Sequence, residues 1–304
     1  MSKRPALEPA EQHEFRCGQV AIVGRPSVGK STLVNALVGA RISITSQRAQ
    51  TTRYRLRGIL TRACEQFVFV DTPGFQTRHR SRLNERMNRV VRESLADVDV
   101  IIVVLDAAGF TDEDRRVLAL LPEGVPVIVA VNKVDRLADK SRLLPLIAEI
   151  DRTRKFEAIV PVSAEKGWQL EALLSEVAAR LPLGPALYPA DDLTDRDERF
   201  LAAEYLREKI FRVMGEEVPY AVAVAIDSFT HDGDLRRIRA TVFVQKASQR
   251  AILLGEGGAR IKAIATAARR DMERLFGGKV FLEVWVRIEA GWSNDEQMLA
   301  RLGY

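Results

Sequence analysis

An α/β domain with a mostly parallel sheet, followed by a smaller α+β domain, is the fold class this sequence predicts. Three observations predict it. Short apolar runs alternate with amphipathic stretches between about residues 18 and 182; a proline- and acid-rich stretch interrupts them at 181–199; beyond it, apolar residues take every second place instead of running on. Unbroken apolar strands imply a sheet covered on both faces, whereas alternation implies a sheet with two unlike faces.

The first-domain runs are QVAIV (19–23), QFVFV (66–70), VDVIIVVL (98–105), VPVIVAV (125–131) and AIVPV (158–162). LPLGPALYPADDLTDRDER (181–199) carries three prolines, a glycine and clustered acids, the composition of an interdomain linker. Phe200, Leu201, Tyr205, Leu206, Ile210, Phe211 and Met214 then recur at helical spacing. Strands are expected at Tyr220–Ile226, at Ile238–Val244 and at Val280–Val286, the last two separated by GEGG and a helix at about 259–276. Ser293 with Glu296 reads as a capping box for a final helix. The expected division is 15–182, linker 183–198, and 199–304.

Composition narrows the class. Two cysteines, Cys17 and Cys64, lie in no metal-ligand spacing, which fits a reducing compartment and argues against a disulfide scaffold or a zinc site. No run approaches the ~18 uncharged apolar residues of a spanning helix, so a soluble cytoplasmic protein is expected. Net charge is +5 overall but +8 within 236–287, a candidate face for a polyanion or simply a solvated surface.

Between the strand QVAIV and an amphipathic stretch lies GRPSVGKST: Gly24, Arg25, Pro26, Ser27, Val28, Gly29, Lys30, Ser31 and Thr32. Gly24-x4-Gly29-Lys30-Ser31 matches the phosphate-binding P-loop at each defining position, in its required strand–helix context. Glycines let backbone N–H groups curl around the β-phosphate, Lys30 reaches the β/γ oxygens, and the Ser31 hydroxyl ligates Mg²⁺. At the end of VPVIVAV stand Asn132, Lys133 and Asp135; a carboxylate there accepts from both guanine N1–H and the exocyclic amine, whereas adenine N1 would repel it. Ser163 and Ala164 follow the next strand and complete a guanine-binding loop. Asp71 at the end of QFVFV is placed to hold Mg²⁺ through water, and the Gly74 N–H to meet the γ-phosphate. One hydroxyl of Thr51-Thr52 is expected to close on Mg²⁺ when that phosphate is present.

GRPSVGKSTLVNALVG, ISITSQRAQTTRYR, DTPGF, VNKVD and PVSAEKG together resemble the Era family of translation-associated GTPases. The resemblance implies a P-loop NTPase of the Ras-like G-domain type using GTP/GDP and Mg²⁺, and it assigns the magnesium-contacting threonine to Thr52. Lys30, Thr52 and Gly74 are then the catalytic candidates. Phe75 stands where Ras-like relatives carry a water-positioning glutamine, so slow intrinsic hydrolysis is expected. Ser27 occupies a position where many relatives carry an asparagine that helps hold K⁺, so weak or absent K⁺ stimulation is expected.

The second domain's element order fits a type II KH domain, and AILLGEGGARIKAIATAARRDM resembles that module's GxxG segment. Gly255, Gly257 and Gly258 would let a nucleic-acid backbone come close, with Arg260 and Lys262 meeting phosphates. Glu256 sits between the glycines where the family commonly has lysine, so a weaker loop contact is expected. Trp285 reads as an aromatic capping the sheet edge in preference to a base-stacking platform, and Trp292 as packing. The arginines at 48, 53, 55, 57 and 78 form either an effector or RNA surface or a solvated loop.

Taken over both domains, the resemblance implies a GTP-driven switch that binds the 3′ region of small-subunit (16S) ribosomal RNA and assists assembly of the small ribosomal subunit. It also implies a monomer, with peripheral contact at the inner face of the cell membrane. A non-enzymatic scaffold, in which nucleotide is structural, is the alternative. A tRNA-modification GTPase is disfavoured because no cysteine follows Cys64, and a tandem GTPase because the P-loop is not repeated.

Overall fold

A computed structural model of the chain describes residues 14–45, 56–72, 89, 91, 93–213 and 222–302. The first sheet is assembled from β1 (Arg16–Val23), β2 (Leu56–Thr61), β3 (Glu65–Asp71), β4 (Val100–Asp106), β5 (Val127–Asn132) and β6 (Ala158–Pro161), in the order β2-β3-β1-β4-β5-β6. Only the β2–β3 pair is antiparallel.

The unbroken apolar runs are divided residue by residue between two faces. Val20, Ile22, Ile102, Val104, Ile128 and Ala130 point into one core with α1 (Lys30–Val38) and α4 (Leu170–Ala178). Their neighbours Ala21, Val23, Ile101, Val103, Leu105, Val129 and Val131 point into a second core with α2 (Asp112–Leu118) and α3 (Leu143–Asp151). A two-residue period buried on both sides leaves no solvent face, which is why no polar alternation shows. This arrangement brings the carboxyl ends of β1, β3, β4 and β5 to one edge, where open α/β sheets bind ligands.

The segment expected as a linker is a strap. Ile59 N–H donates to the Leu193 carbonyl at 2.9 Å, and Gly58 bridges Thr194 in antiparallel fashion, so the strap pairs with the outer edge of β2. Gln66, fully buried, accepts from the N–H groups of Leu187 (2.7 Å) and Tyr188 (3.0 Å) and donates to the Tyr188 carbonyl (2.8 Å). The exposed backbone of an edge strand and one buried amide thus fasten the connection between the units.

The second unit begins with α5 (Glu198–Val213) and contains β7 (Ala223–Asp232), β8 (Leu235–Val244), α6 (Ala247–Leu254), α7 (Ala259–Phe276), β9 (Lys279–Ile288) and α8 (Glu296–Arg301). Its sheet runs β7-β8-β9, antiparallel then parallel. One face, including Ile238, Ala240, Val242 and Val280, packs with Leu206, Ile264 and Met272. On the other, Trp292, Leu299 and Leu302 cover Ala223 and Phe243. Trp292 therefore packs as expected. Trp285 does not cap the edge: it is 61% exposed. The final helix is capped by Asp295, whose carboxylate accepts from Gln297 and Met298 N–H, and not by Ser293, because Trp292–Asn294 first forms a 3-10 turn and displaces the helix start. Tyr220 and Met214 lie outside the described residues.

Candidate nucleotide and nucleic-acid sites

β1 delivers its chain at Gly24 and α1 receives it at Lys30, so Arg25–Gly29 must turn sharply between a buried strand and a helix. Gly29 has φ 101°, and a Cβ there would stand 2.3 Å from the Asn132 Nδ2 atom. Any side chain there must displace Asn132 or shift the loop, and the helix behind it starts from a glycine that offers no capping side chain. The first N–H groups of α1 are thereby directed at the loop, the arrangement that binds phosphate.

Lys30 is buried, with Nζ donating to the carbonyls of Gly24 (2.9 Å) and Arg25 (3.0 Å). Burial pulls its pKa down to about 8; Asp71 opposes this and Arg25 reinforces it. A cation under that strain favours an incoming polyanion. Asp71, fully buried at the end of β3, accepts a 2.7 Å bond from Ser43 Oγ, and Thr72 Oγ1 donates to the Ile22 carbonyl at 2.8 Å. Ser31, buried at the first turn of α1, supplies the second oxygen donor on that side, a set suited to a hard cation such as Mg²⁺. Thr32 follows half-buried, Val28 is fully buried, Pro26 half-buried, and Ser27 exposed with φ 65°. Thr52 and Gly74, with Thr51, Phe75 and the arginines at 48, 53, 55 and 78, lie outside the described residues.

The base loop is brought to the same edge by β5 and β6. The Asn132 amide donates to the Val28 carbonyl (3.0 Å) and accepts from Ala164 N–H (3.0 Å), tying the P-loop to the loop after β6. Lys133, at φ 68°, donates to the Ser27 carbonyl and to Asp106 Oδ2, each at 2.7 Å. Burial raises the Asp106 carboxyl, but the bonds from Lys133 and Ala108 N–H outweigh it and hold the group below its ordinary value. Asp135 Oδ1 accepts from Ser163 Oγ at 2.6 Å, which fixes the carboxylate's orientation toward the same edge. Sequence reasoning missed two supports, Ser43 and the buried Asp114. Arg25 Nε lies 3.1 Å from Asp114, which also closes the capping box of α2 with Thr111. The Thr111-x-x-Asp114 spacing was the available signal for that helix start.

In the second unit, α6 ends at Gly255 (φ 70°), where a Cβ would meet the Arg260 Cβ at 2.8 Å. Gly257 and Gly258, at φ 56° and 79°, complete the turn, and α7 begins behind them from a glycine cap. The exposed Glu256 stands at the tip. Lys262 is exposed on the first turns of α7, whereas Arg260 Nη1 donates back to the Ile252 carbonyl at the end of α6.

Fold and site together define a P-loop GTPase carrying a KH module: the model of the 50S ribosome-binding GTPase family matches residues 19–133, and that of the KH domain matches 217–293. The chain is 53% identical over 290 residues to GTPase Era of Nitrosomonas eutropha, covering 95% of this chain and 98% of that one. It is 52% identical over 289 residues to GTPase Era of Chromobacterium violaceum, with the same coverage. The chain belongs to the Era GTPase family. Two solved structures, a variant of Aquifex aeolicus Era bound to GDP·AlF4⁻ and an Era in complex with MgGDPNP and nucleotides 1506–1542 of 16S ribosomal RNA, each superpose with a TM-score of 0.92 at 36% identity over 95% of this chain and 99% of theirs.

Proposed function

We propose that the protein is a GTP-hydrolysing switch that binds the 3′ region of 16S ribosomal RNA and assists small-subunit assembly, with a G unit at 15–182, a connection at 183–198 and an RNA-binding unit at 199–304. The loop Gly24–Thr32 wraps the phosphates, and Lys30 neutralises the β/γ oxygens. Ser31, Thr52 and Asp71 hold Mg²⁺, Gly74 contacts the γ-phosphate, and Asn132, Lys133, Asp135, Ser163 and Ala164 shape the guanine pocket. GTP, when bound, supplies the phosphoryl group that is transferred to water. Gly255, Gly257 and Gly258 admit the RNA backbone, and Lys262 and Arg260 meet its phosphates. The bond from Arg260 to Ile252 leaves further guanidinium N–H groups for that purpose.

One observation carries the reading of a switch rather than two independent binders. The three residues Arg41–Ser43 join the magnesium side to the second unit: Ser43 Oγ holds Asp71, while the Arg41 guanidinium pairs with Glu208 on α5 and, at 3.1 Å, with Asp271 on α7, the helix that follows the glycine turn. Asn35 on α1 clamps the same stretch, accepting from Ile42 and Ser43 N–H at 2.9 Å each. A shift at the magnesium side therefore reaches the RNA-binding unit through a short, fully bonded path.

The test is GTP turnover with and without an oligonucleotide of the 16S 3′ end, in the native protein and in Arg41→Ala. Stimulation in the native protein that is lost in Arg41→Ala supports the switch; tight RNA binding with unchanged, negligible turnover supports a scaffold. The proposal includes a cytoplasmic monomer with peripheral contact at the inner membrane face, which flotation with anionic vesicles would test. Among the described residues no helix is long and apolar enough to cross a membrane.

A further inference from the structure

The outer face of the second sheet is only partly covered. Trp292 and α8 shield Ala223 and Phe243 at one end. Beyond them the parallel β8–β9 register sets Arg237 beside Phe281, Arg239 beside Glu283, Thr241 beside Trp285 and Phe243 beside Arg287. Phe281 is 46% exposed and Trp285 61%. Both rings lie on the same face of one strand, four residues and therefore about 13 Å apart, too far for one base to bridge. The Arg237 guanidinium lies 5.7 Å from the Phe281 centroid. Of the acids nearby, Glu283 pairs with Arg239 at 2.8 Å, Asp232 pairs with Arg237 at 3.0 Å and Asp227 accepts from Thr241 Oγ1 at 2.7 Å, while Arg287 and Lys279 are exposed at the two ends of the strand. Aromatic rings on an exposed strand, flanked by a surplus of cations, make a surface on which unpaired bases stack and phosphates are neutralised.

The face is also continuous with the glycine-rich cleft. β9 is the edge strand, and α6 meets it where Arg250 Nε donates to the Val286 carbonyl. A strand of RNA leaving the cleft along β9 has only to cross that edge to reach the rings.

We propose that this outer sheet face is a second contact for single-stranded RNA, in which Trp285 and Phe281 each stack a base and Arg287 and Lys279 contact the backbone. The inference rests on the RNA-binding reading above and extends it to nucleotides beyond those in the cleft. Binding is measured by fluorescence anisotropy with two labelled oligonucleotides from the 16S 3′ end: one of about four nucleotides, the length a GxxG cleft clamps, and one of about twelve. Trp285→Ala is expected to weaken the longer oligonucleotide roughly ten-fold, within the range of one stacked base, and to leave the shorter unchanged. Trp285→Phe is expected to restore most of the loss, and Lys262→Glu to weaken both lengths. If Trp285→Ala binds the longer oligonucleotide as the native protein does, the proposal is overturned while the cleft reading stands. If the native protein binds neither length, the RNA reading fails and the proposal falls with it.

Discussion

Tyr205 on α5 donates its phenolic hydrogen to the backbone carbonyl of Arg41, 2.6 Å away, across the boundary between the two units. The ring also faces the Arg41 guanidinium at 5.9 Å. Burial pushes the phenol up to about 12, with Arg41 opposing, so it remains a donor at physiological pH. Its contribution to stability is full below pH ~10, the ordinary tyrosine value, and is lost as pH rises through about 12. Tyr205→Phe keeps the ring and removes the bond. We expect a loss of about 1 kcal/mol in denaturant unfolding, with basal GTP turnover unchanged and RNA stimulation reduced. Unchanged stimulation would show that this bond does not couple the units.

Ser43→Ala removes the hydroxyl that holds Asp71. The carboxylate then has more freedom at the magnesium side, and the Mg²⁺ concentration needed for half-maximal binding of a fluorescent GTP analogue should rise several-fold. Binding measured in EDTA should change little.

Lys30 gives a pH signature. In the free protein its ammonium is depressed to about 8, whereas bound phosphates favour the charged form. GTP affinity is therefore expected to be insensitive to this group below pH 8 and to fall above it, with uptake of a proton on binding. Calorimetry in buffers of different ionisation enthalpy reads that uptake directly; heats that do not depend on the buffer at pH 9 would contradict it.

Gly29→Ala tests the cradle. The new methyl would meet Asn132 Nδ2 at 2.3 Å in a left-handed backbone, so the loop must shift or Asn132 must release Val28 and Ala164. We expect nucleotide binding to drop at least a hundred-fold, and thermal unfolding to come several degrees earlier, as ~1–3 kcal/mol of backbone strain dictates.

Glu256→Lys reverses a charge at the exposed tip of the glycine turn. Affinity for the 16S 3′ oligonucleotide should rise several-fold, and the salt dependence should steepen, since one more phosphate is neutralised. An unchanged salt slope would mean that the tip does not touch RNA.

Much of this architecture is written locally. Val100–Leu105 runs apolar without a break because its residues alternate between two cores, and Gly24, Gly29 and Lys30 sit where strand, turn and helix must meet. Much of what eluded the sequence depends on partners far along the chain. Nothing near Gln66 announces that its amide will grip Leu187 and Tyr188, and nothing near Arg41 announces Glu208 or Asp271. Trp285 misled for a related reason: alternation gives the face a strand residue occupies, but what covers that face is set by Trp292 and α8, which stop short of it. The cap of the last helix slipped from Ser293 to Asp295 because a single 3-10 turn intervenes, and local spacing does not separate the two.

The strap across β2 has a bearing on how these molecules behave in company. A bare outermost strand offers its amides and carbonyls to any extended segment that drifts past, including one from an identical neighbour. Leu193 and Thr194 occupy those groups at Gly58 and Ile59. Cutting the chain within 187–195 would therefore do more than untether two halves: it would uncover an adhesive margin, and the clipped protein should clump at concentrations where the whole one stays dispersed.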